Sequence, residues 1–251
     1  MRVLDIPFML RIIPELLRGI PVCLEITCVS MICGCLIGLA TALFRIYKIP
    51  VLHQLSSVYI SFMRGTPLLV QILITYYGVP VILRWINYKY GTKFDISGVP
   101  AVYFMFFCFS LCFGAYLSEM FRSAILSVDP GQMEACYSIG MTTPNALLRI
   151  ILPQALTNAI PNMGNTFISL VKDTSLAFTA AVAEVMGQAK IVAGRSSKFF
   201  EAYIVAAVIY WIMCIFFEQI LRRLEKFSRR FERDQGTSLK VNPAAHPKRT
   251  V

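Results

Sequence analysis

Charged residues are scarce in this 251-residue chain. Asp, Glu, Lys and Arg make up 15% of it, against about 25% in an ordinary soluble domain. Beside 57% hydrophobic residues, that shortage excludes a disordered chain and argues against a water-soluble globule. Histidine is almost missing: His53 and His246 are the only two, neither lies in an apolar run, and no metal-ligand set is legible. The eight cysteines contain no Cys-x-x-Cys pair. Most of them fall in apolar runs (Cys23, Cys28, Cys33, Cys35, Cys108, Cys112, Cys214), where free Cys behaves as a small hydrophobe rather than a disulfide framework. No Gly is followed by Lys, so the phosphate-cradling G-x-x-x-x-G-K-[ST] loop is absent and the chain has no ATP site of that kind. No G-x-S-x-G nucleophile turn occurs either, and the chain does not read as an enzyme.

What is present is a set of long runs without charge. A helix needs about 20 apolar residues to cross the hydrocarbon layer. Runs of that order lie at 26–44, 65–83, 96–118 and 150–171, and a shorter one at 202–217 can be extended at both ends. Backbone groups in lipid must be satisfied within the segment, so each run is expected to be a helix. The result is an all-α membrane protein with about five crossings. Residues 1–19 alternate apolar positions with Arg11, Glu15 and Arg18, which suits a helix lying in the interface. The stretch 176–185 is too short to cross and is expected to be re-entrant or interfacial. A tail is expected from 224, disordered after Asp234.

The net charge of +10 is bunched. Arg222, Arg223, Lys226, Arg229, Arg230 and Arg233 fall within twelve positions directly after an apolar run. Such a cluster marks a cytosolic membrane flank. Five crossings then put the N-terminus outside. No base-reading surface accompanies the cations, so nucleic acid is not an expected partner.

Two segments carry chemistry. The fourth run holds Pro153, Pro161, Asn158, Asn162 and Asn165, and is followed by Lys172, Asp173, Thr174 and Ser175. A helix facing only lipid would not carry so many amides. Either they line a wet path, with one cation and one anion to match a zwitterion, or the amides lock helices together and Lys172 and Asp173 simply snorkel. The longest connecting loop, about 129–153, is built rather than slack. Asp129-Pro130 is a cap and helix start, Gly140 a stop, and Thr143-Pro144 a second start leading to Leu152 before Pro153. Two short helices meeting at Gly140 would present a rigid knob to the cytosol.

Within that loop stand Glu134-Ala135-Cys136, then three residues, Gly140, nine more, and Ile150-x-Leu152-Pro153. This resembles the E-A-A-x3-G-x9-I-x-L-P loop of ABC importer permeases, with Cys136 in place of the second Ala. Arg64-Gly65-Thr66-Pro67-Leu68-Leu69-Val70-Gln71 with Tyr76-Tyr77-Gly78, the Tyr116, Glu119 and Arg122 region, and Lys172-Asp173-Thr174-Ser175-Leu176 look like stretches of the polar amino-acid permeases in that group. The resemblance covers roughly 19–223.

It implies a type I importer permease fold, with a permease domain over 20–223 and a coupling helix that docks on an ATPase. The implied partners are two ATPase subunits that bind ATP-Mg, a second permease that is the same or a sister chain, and an extracytoplasmic amino-acid-binding protein. The implied setting is a bacterial plasma membrane, spanned several times. Cystine is the first substrate to consider. Small Ala135 and the bend at Gly140 would allow close docking, and Glu134 would cap or pair. Gly65-Thr66-Pro67 should bend the second helix, while Arg64, pairing with a carboxylate or a carbonyl, and Glu119 should be structural. A secondary amino-acid transporter working without an ATPase is the alternative class; it would show inverted repeats, and no half-to-half match is legible.

Overall fold

The computed structural model describes residues 4–93 and 98–237, with side chains through Lys226. Among these residues all regular structure is helical. In chain order the elements are α1 (Ile6–Leu17), α2 (Ile20–Ile46), α3 (Leu52–Gly65), α4 (Leu68–Leu73), a π turn (Ile74–Gly78), α5 (Val79–Tyr90), α6 (Ala101–Leu126) and α7 (Pro130–Ser138). Then come α8 (Thr143–Ala146), a second π turn (Leu147–Ile151), α9 (Leu152–Asp173), a 3-10 turn (Thr174–Ala180), α10 (Val185–Ser196) and α11 (Phe199–Thr237).

Four stretches are long and apolar enough to cross a membrane: α2, Leu68–Tyr90, α6 and Phe199–Lys226. A bent pair, Thr143–Ala180 with α10 at 46°, makes a fifth. The described residues thus hold four candidate crossings, or five with the bent pair counted as one span, against about five expected, and their bounds are shifted. Glu25 does not limit the first, because it lies exposed on α2, which starts with Pro21 in its first turn. Between the first two runs the chain is helical again from Leu52, leaving a short link at 47–51, where Lys48 and Val51 take positive φ. The start of the third run, at 96, lies outside the described residues, and α6 begins at Ala101. The stretch 176–185 is a 3-10 turn ended by Ala181 at φ +59°, followed by α10. The basic cluster rides on α11, which stays helical to Thr237; positions 238–251 lie outside the described residues.

Pro153 was expected to end a helix and does not. A proline ring clashes with the carbonyl four residues back and offers it no N–H. The π turn just before Pro153 widens the helix, with the Leu152 N–H donating to Leu147 O. The chain thereby passes the proline without a break. The same device precedes Pro80, after the π turn at Ile74–Gly78.

Packing follows small residues. Gly34 and Gly38 on α2 face Ser110, Gly114 and Leu117 of α6; a Cβ on Gly38 would lie 2.9 Å from Leu117 Cβ and 3.0 Å from Gly114 O. Close backbone approach of this kind replaces the hydrophobic drive that lipid removes. Three apolar clusters stack along the bundle. One joins Ile12 and Leu16 of α1 to Val185, Val192, Val205 and Ile209. One surrounds Phe109, Met105 and Leu170. The last holds Phe121, Ile125, Leu147, Ile151 and Ala155, beneath the 129–153 loop.

α1 packs one side onto α10 and α11. It buries Ile12 and Leu16 and exposes Ile6, Leu10 and Leu17. Asp5 caps it, accepting the Phe8 N–H at 3.0 Å. Lys198 donates to the Asp5 carboxylate, and that hydrogen bond holds its pKa below the usual range. With Arg195–Glu15 at 3.0 Å, these exposed pairs fix register more than they add stability.

Candidate functional site

The 129–153 loop is as ordered as its sequence suggested. Asp129 Oδ1 accepts the Gly131 N–H at 2.8 Å and starts α7. At the other end Gly140 takes φ +78°. Its N–H donates to Tyr137 O and the Met141 N–H to Cys136 O, both at 3.0 Å. This is a Schellman closure, which needs a left-handed residue where Gly140 stands. Tyr137 Oη lies 3.2 Å from Thr143 Oγ1 and ties α7 to the start of α8.

The two faces of α7 differ. Cys136 is buried at 5% exposure, and Met133, Ile150 and Leu152 pack onto the cluster below. Glu134, Ala135, Tyr137, Ile139 and Gly140 face outward, with Ile139 78% exposed. The departure at Cys136 therefore falls on the inward side, where a small apolar side chain fits. Pro153 is exposed in the first turn of α9. At the base of the loop Glu119 takes Arg45 as one partner and Arg122 Nε at 3.2 Å as another.

The break at Gly65-Thr66-Pro67 separates α3 from α4, with Thr66 and Pro67 extended. Pro67 cannot donate to Met63 O, so that carbonyl loses its helical partner. Gln71 Nε2 fills the gap: it donates to Met63 O at 2.8 Å, to Thr66 Oγ1 at 2.9 Å and to Thr66 O at 3.1 Å. Among the described residues Arg64 makes a ring contact rather than an ion pair. Its guanidinium sits over the Tyr116 ring, 5.6 Å from the centroid, as a cation–π contact.

Tyr116 also lines a cavity of about 370 Å³, with Leu68, Cys112, Phe113, Asn165, Thr166, Ser169 and Asp173. That volume is in the range of small-ligand pockets. The structure brings together Asp173 and Asn165 of the expected path, and leaves the others elsewhere. Lys172 is exposed and does not line the cavity. Thr174 is fully buried, donating to Val171 O at 2.7 Å beside Cys23 Sγ. Ser175 is half-buried. Asn158 Nδ2 donates to Ser127 Oγ at 3.2 Å, near the loop, and Asn162 is exposed. Asn158, Asn162, Asn165, Ser169 and Lys172 share one stripe of α9, at steps of four and three residues.

Sequence reasoning missed Glu184. It is fully buried and caps α10, accepting the Met186 N–H at 2.9 Å and the Gly187 N–H at 2.8 Å, while Tyr210 Oη donates to it. Gly19 packs so closely that a Cβ there would stand 2.4 Å from Glu184 C and Val185 N. A lone Glu between two apolar runs was the available signal, since a buried carboxylate must cap or pair.

Known proteins share this architecture. Residues 34–230 match the family model described as "Binding-protein-dependent transport system inner membrane component". The chain is 45% identical over 217 residues to the "Probable amino-acid permease protein YxeN" of Bacillus subtilis (strain 168), covering 86% of this chain and 92% of that protein. It is 41% identical over 214 residues to the "L-cystine transport system permease protein TcyL" of the same organism, covering 85% and 87%. A solved "amino acid ABC transporter with histidines" matches with a TM-score of 0.75 at 32% identity, covering 89% of this chain and 99% of that one. The methionine ABC transporter MetNI in an inward-facing form shares the fold, with a TM-score of 0.65 at 19% identity over 90% and 99% of the two chains. Family match, curated relatives and fold agree, and the chain belongs to the binding-protein-dependent transport system inner membrane components.

Proposed function

We propose that this chain is the permease subunit of an ABC importer for a polar amino acid. Relatives named for amino acids and for L-cystine support the substrate class and make cystine the first compound to test. The observation that carries the reading is the 129–153 loop, a capped, closed knob whose exposed face is small and apolar at Ala135 and Ile139. That face suits a groove on an ATPase. The chain carries no G-x-x-x-x-G-K-[ST] phosphate-binding loop, which supports assigning ATP-Mg and its hydrolysis to the partner. A second permease, the same or a sister chain, completes the pathway, and an extracytoplasmic binding protein delivers the substrate. The basic end of α11 favours a cytosolic C-terminus, hence an N-terminus outside a bacterial inner membrane.

Within the cavity Asp173 offers a carboxylate to the substrate ammonium. Asn165 offers neutral hydrogen bonds, and Arg64, over Tyr116, stands by for the substrate carboxylate. One cation and one anion match a zwitterion.

The test is co-purification. A tagged chain extracted in mild detergent from its own host should bring down a stoichiometric ATPase, and lose it when Glu134 and Gly140 are both replaced. A chain that comes out alone and moves amino acid in vesicles without ATP would sink the reading. Asp173→Asn tests the path separately. Removing one charge-assisted hydrogen bond to the substrate, worth roughly 1.5–3 kcal/mol, should raise the KM for uptake about tenfold or more at unchanged protein level. An unaltered KM and rate would exclude Asp173 from the path.

A further inference from the structure

α11 is longer than a membrane requires. Its 39 residues span about 58 Å at ~1.5 Å per residue, whereas the hydrocarbon layer is about 30 Å thick. Counted from Phe199, about 20 residues carry the helix across to the neighbourhood of Glu218, and the rest continues past the hydrocarbon boundary without a helix break.

The sequence of that extension has two sides. At about 100° per residue, positions Arg222, Lys226, Arg229, Arg230 and Arg233 fall in one sector about 100° wide. Ile220, Leu224, Phe227 and Phe231 fall on the opposite side, at steps of four, three and four. Arg222, Arg223 and Lys226 are exposed, and Arg222 meets Glu218 at 2.6 Å with 72% of its own side chain still accessible. Leu224 is 54% and Ile220 38% exposed. Across 222–233 six cations stand against two carboxylates, Glu225 and Glu232.

We propose that the end of α11 is a docking surface for acidic phospholipids, with positions 220–233 lying in the headgroup layer, the apolar stripe at the acyl boundary and the cationic sector on lipid phosphates. A low-hydrophobicity helix with one apolar and one basic face is built for that layer. The extension meets it within one turn of leaving the span, so no further partner has to be recruited. Each cation near an anionic surface adds attraction that decays within a Debye length. A straight continuation along the membrane normal would carry position 231 about 20 Å from the hydrocarbon, so the proposal requires the extension to tilt.

Phe231→Trp in the complete reconstituted transporter reads this directly, with the signal of the parent's Trp85 and Trp211 subtracted. The vesicles contain about 30 mol% phosphatidylglycerol in phosphatidylcholine, with bromine on the acyl chains of one lipid or the other. At about 0.05 M salt the tryptophan should be quenched at least about threefold more by brominated phosphatidylglycerol. The preference should vanish at about 0.5 M salt and in a variant carrying R223Q, K226Q, R229Q, R230Q and R233Q. Equal quenching by both lipids, or none, overturns the proposal. Quenching that appears only once the ATPase is stripped away assigns the face to that protein and overturns it as well. A transporter that carries a substrate other than an amino acid leaves the lipid result standing, so the two readings fail separately.

Discussion

Gly140→Pro is expected to leave the chain in the membrane and stop uptake. Proline fixes φ near −65° and has no N–H, whereas Gly140 sits at φ +78° and donates to Tyr137 O. Each conflict alone is serious, and ~3 kcal/mol, the usual cost of a misplaced proline, lowers the equilibrium constant for closing the knob about a hundredfold. Uptake should therefore fall to about one-hundredth of the parent's or less. Gly140→Ala isolates the backbone conflict. Nothing stands within 4 Å of its Cβ, so only the left-handed conformation opposes it, at a cost of ~1 kcal/mol, and a measurable fraction of uptake should remain. Radiolabelled amino-acid uptake normalised to membrane protein level checks both. Full uptake in the proline variant would disconnect the knob from transport.

Gly19→Ala should be strongly damaging at the other end of the bundle. Its Cβ would meet backbone atoms of Glu184 and Val185 at 2.4 Å, and backbone cannot swing aside as a side-chain tip can. Overpacking of this kind costs about 1–3 kcal/mol. The displaced group also holds the buried Glu184 carboxylate on the α10 amides. A cost of that size lowers the melting midpoint by several degrees, at about 2–4 °C per kcal/mol for a chain of this length. Gly194→Ala is the matched control, because no atom lies within 4 Å of its Cβ and Ala is the better helix former by ~1 kcal/mol. Its midpoint should hold or rise. Thermal unfolding of the purified chain in detergent separates the two, and equal midpoints would remove Gly19 from the packing described here.

The residues that could be read from sequence are those whose role is local. Asp129-Pro130 and Gly140 specify a helix start and stop by their own chemistry, and both stand where expected. The apolar runs located the spans, because lipid imposes the same requirement on every segment. Pro153 was misread because its effect depends on the π turn before it, which sequence patterning does not announce. The helix α3 was not legible because Ser56, Ser57 and His53 interrupt its apolar residues. Lys172 was grouped with Asp173 because they are neighbours in sequence, yet adjacent helical positions point about 100° apart, and only Asp173 faces the cavity. Gln71 was visible only as part of a motif. Its work, replacing the N–H that Pro67 lacks, needs the three-dimensional break to be seen. Glu184 and Tyr210 are 26 positions apart, and no sequence period joins them.

The second π turn has a mechanical consequence. Because the chain passes Pro153, and Pro161 inside α9, without leaving the helix, 143–173 is one continuous helical stretch from α8 beside the knob to Asp173 at the cavity. At ~1.5 Å per residue it is about 46 Å long. If it turns as a unit by about 10° about one end, the other end moves through about 8 Å, wider than the ~5.4 Å pitch of a helix turn. A tilt imposed at the loop would therefore be felt at the cavity wall as displacement, with no intermediate residue needed to relay it.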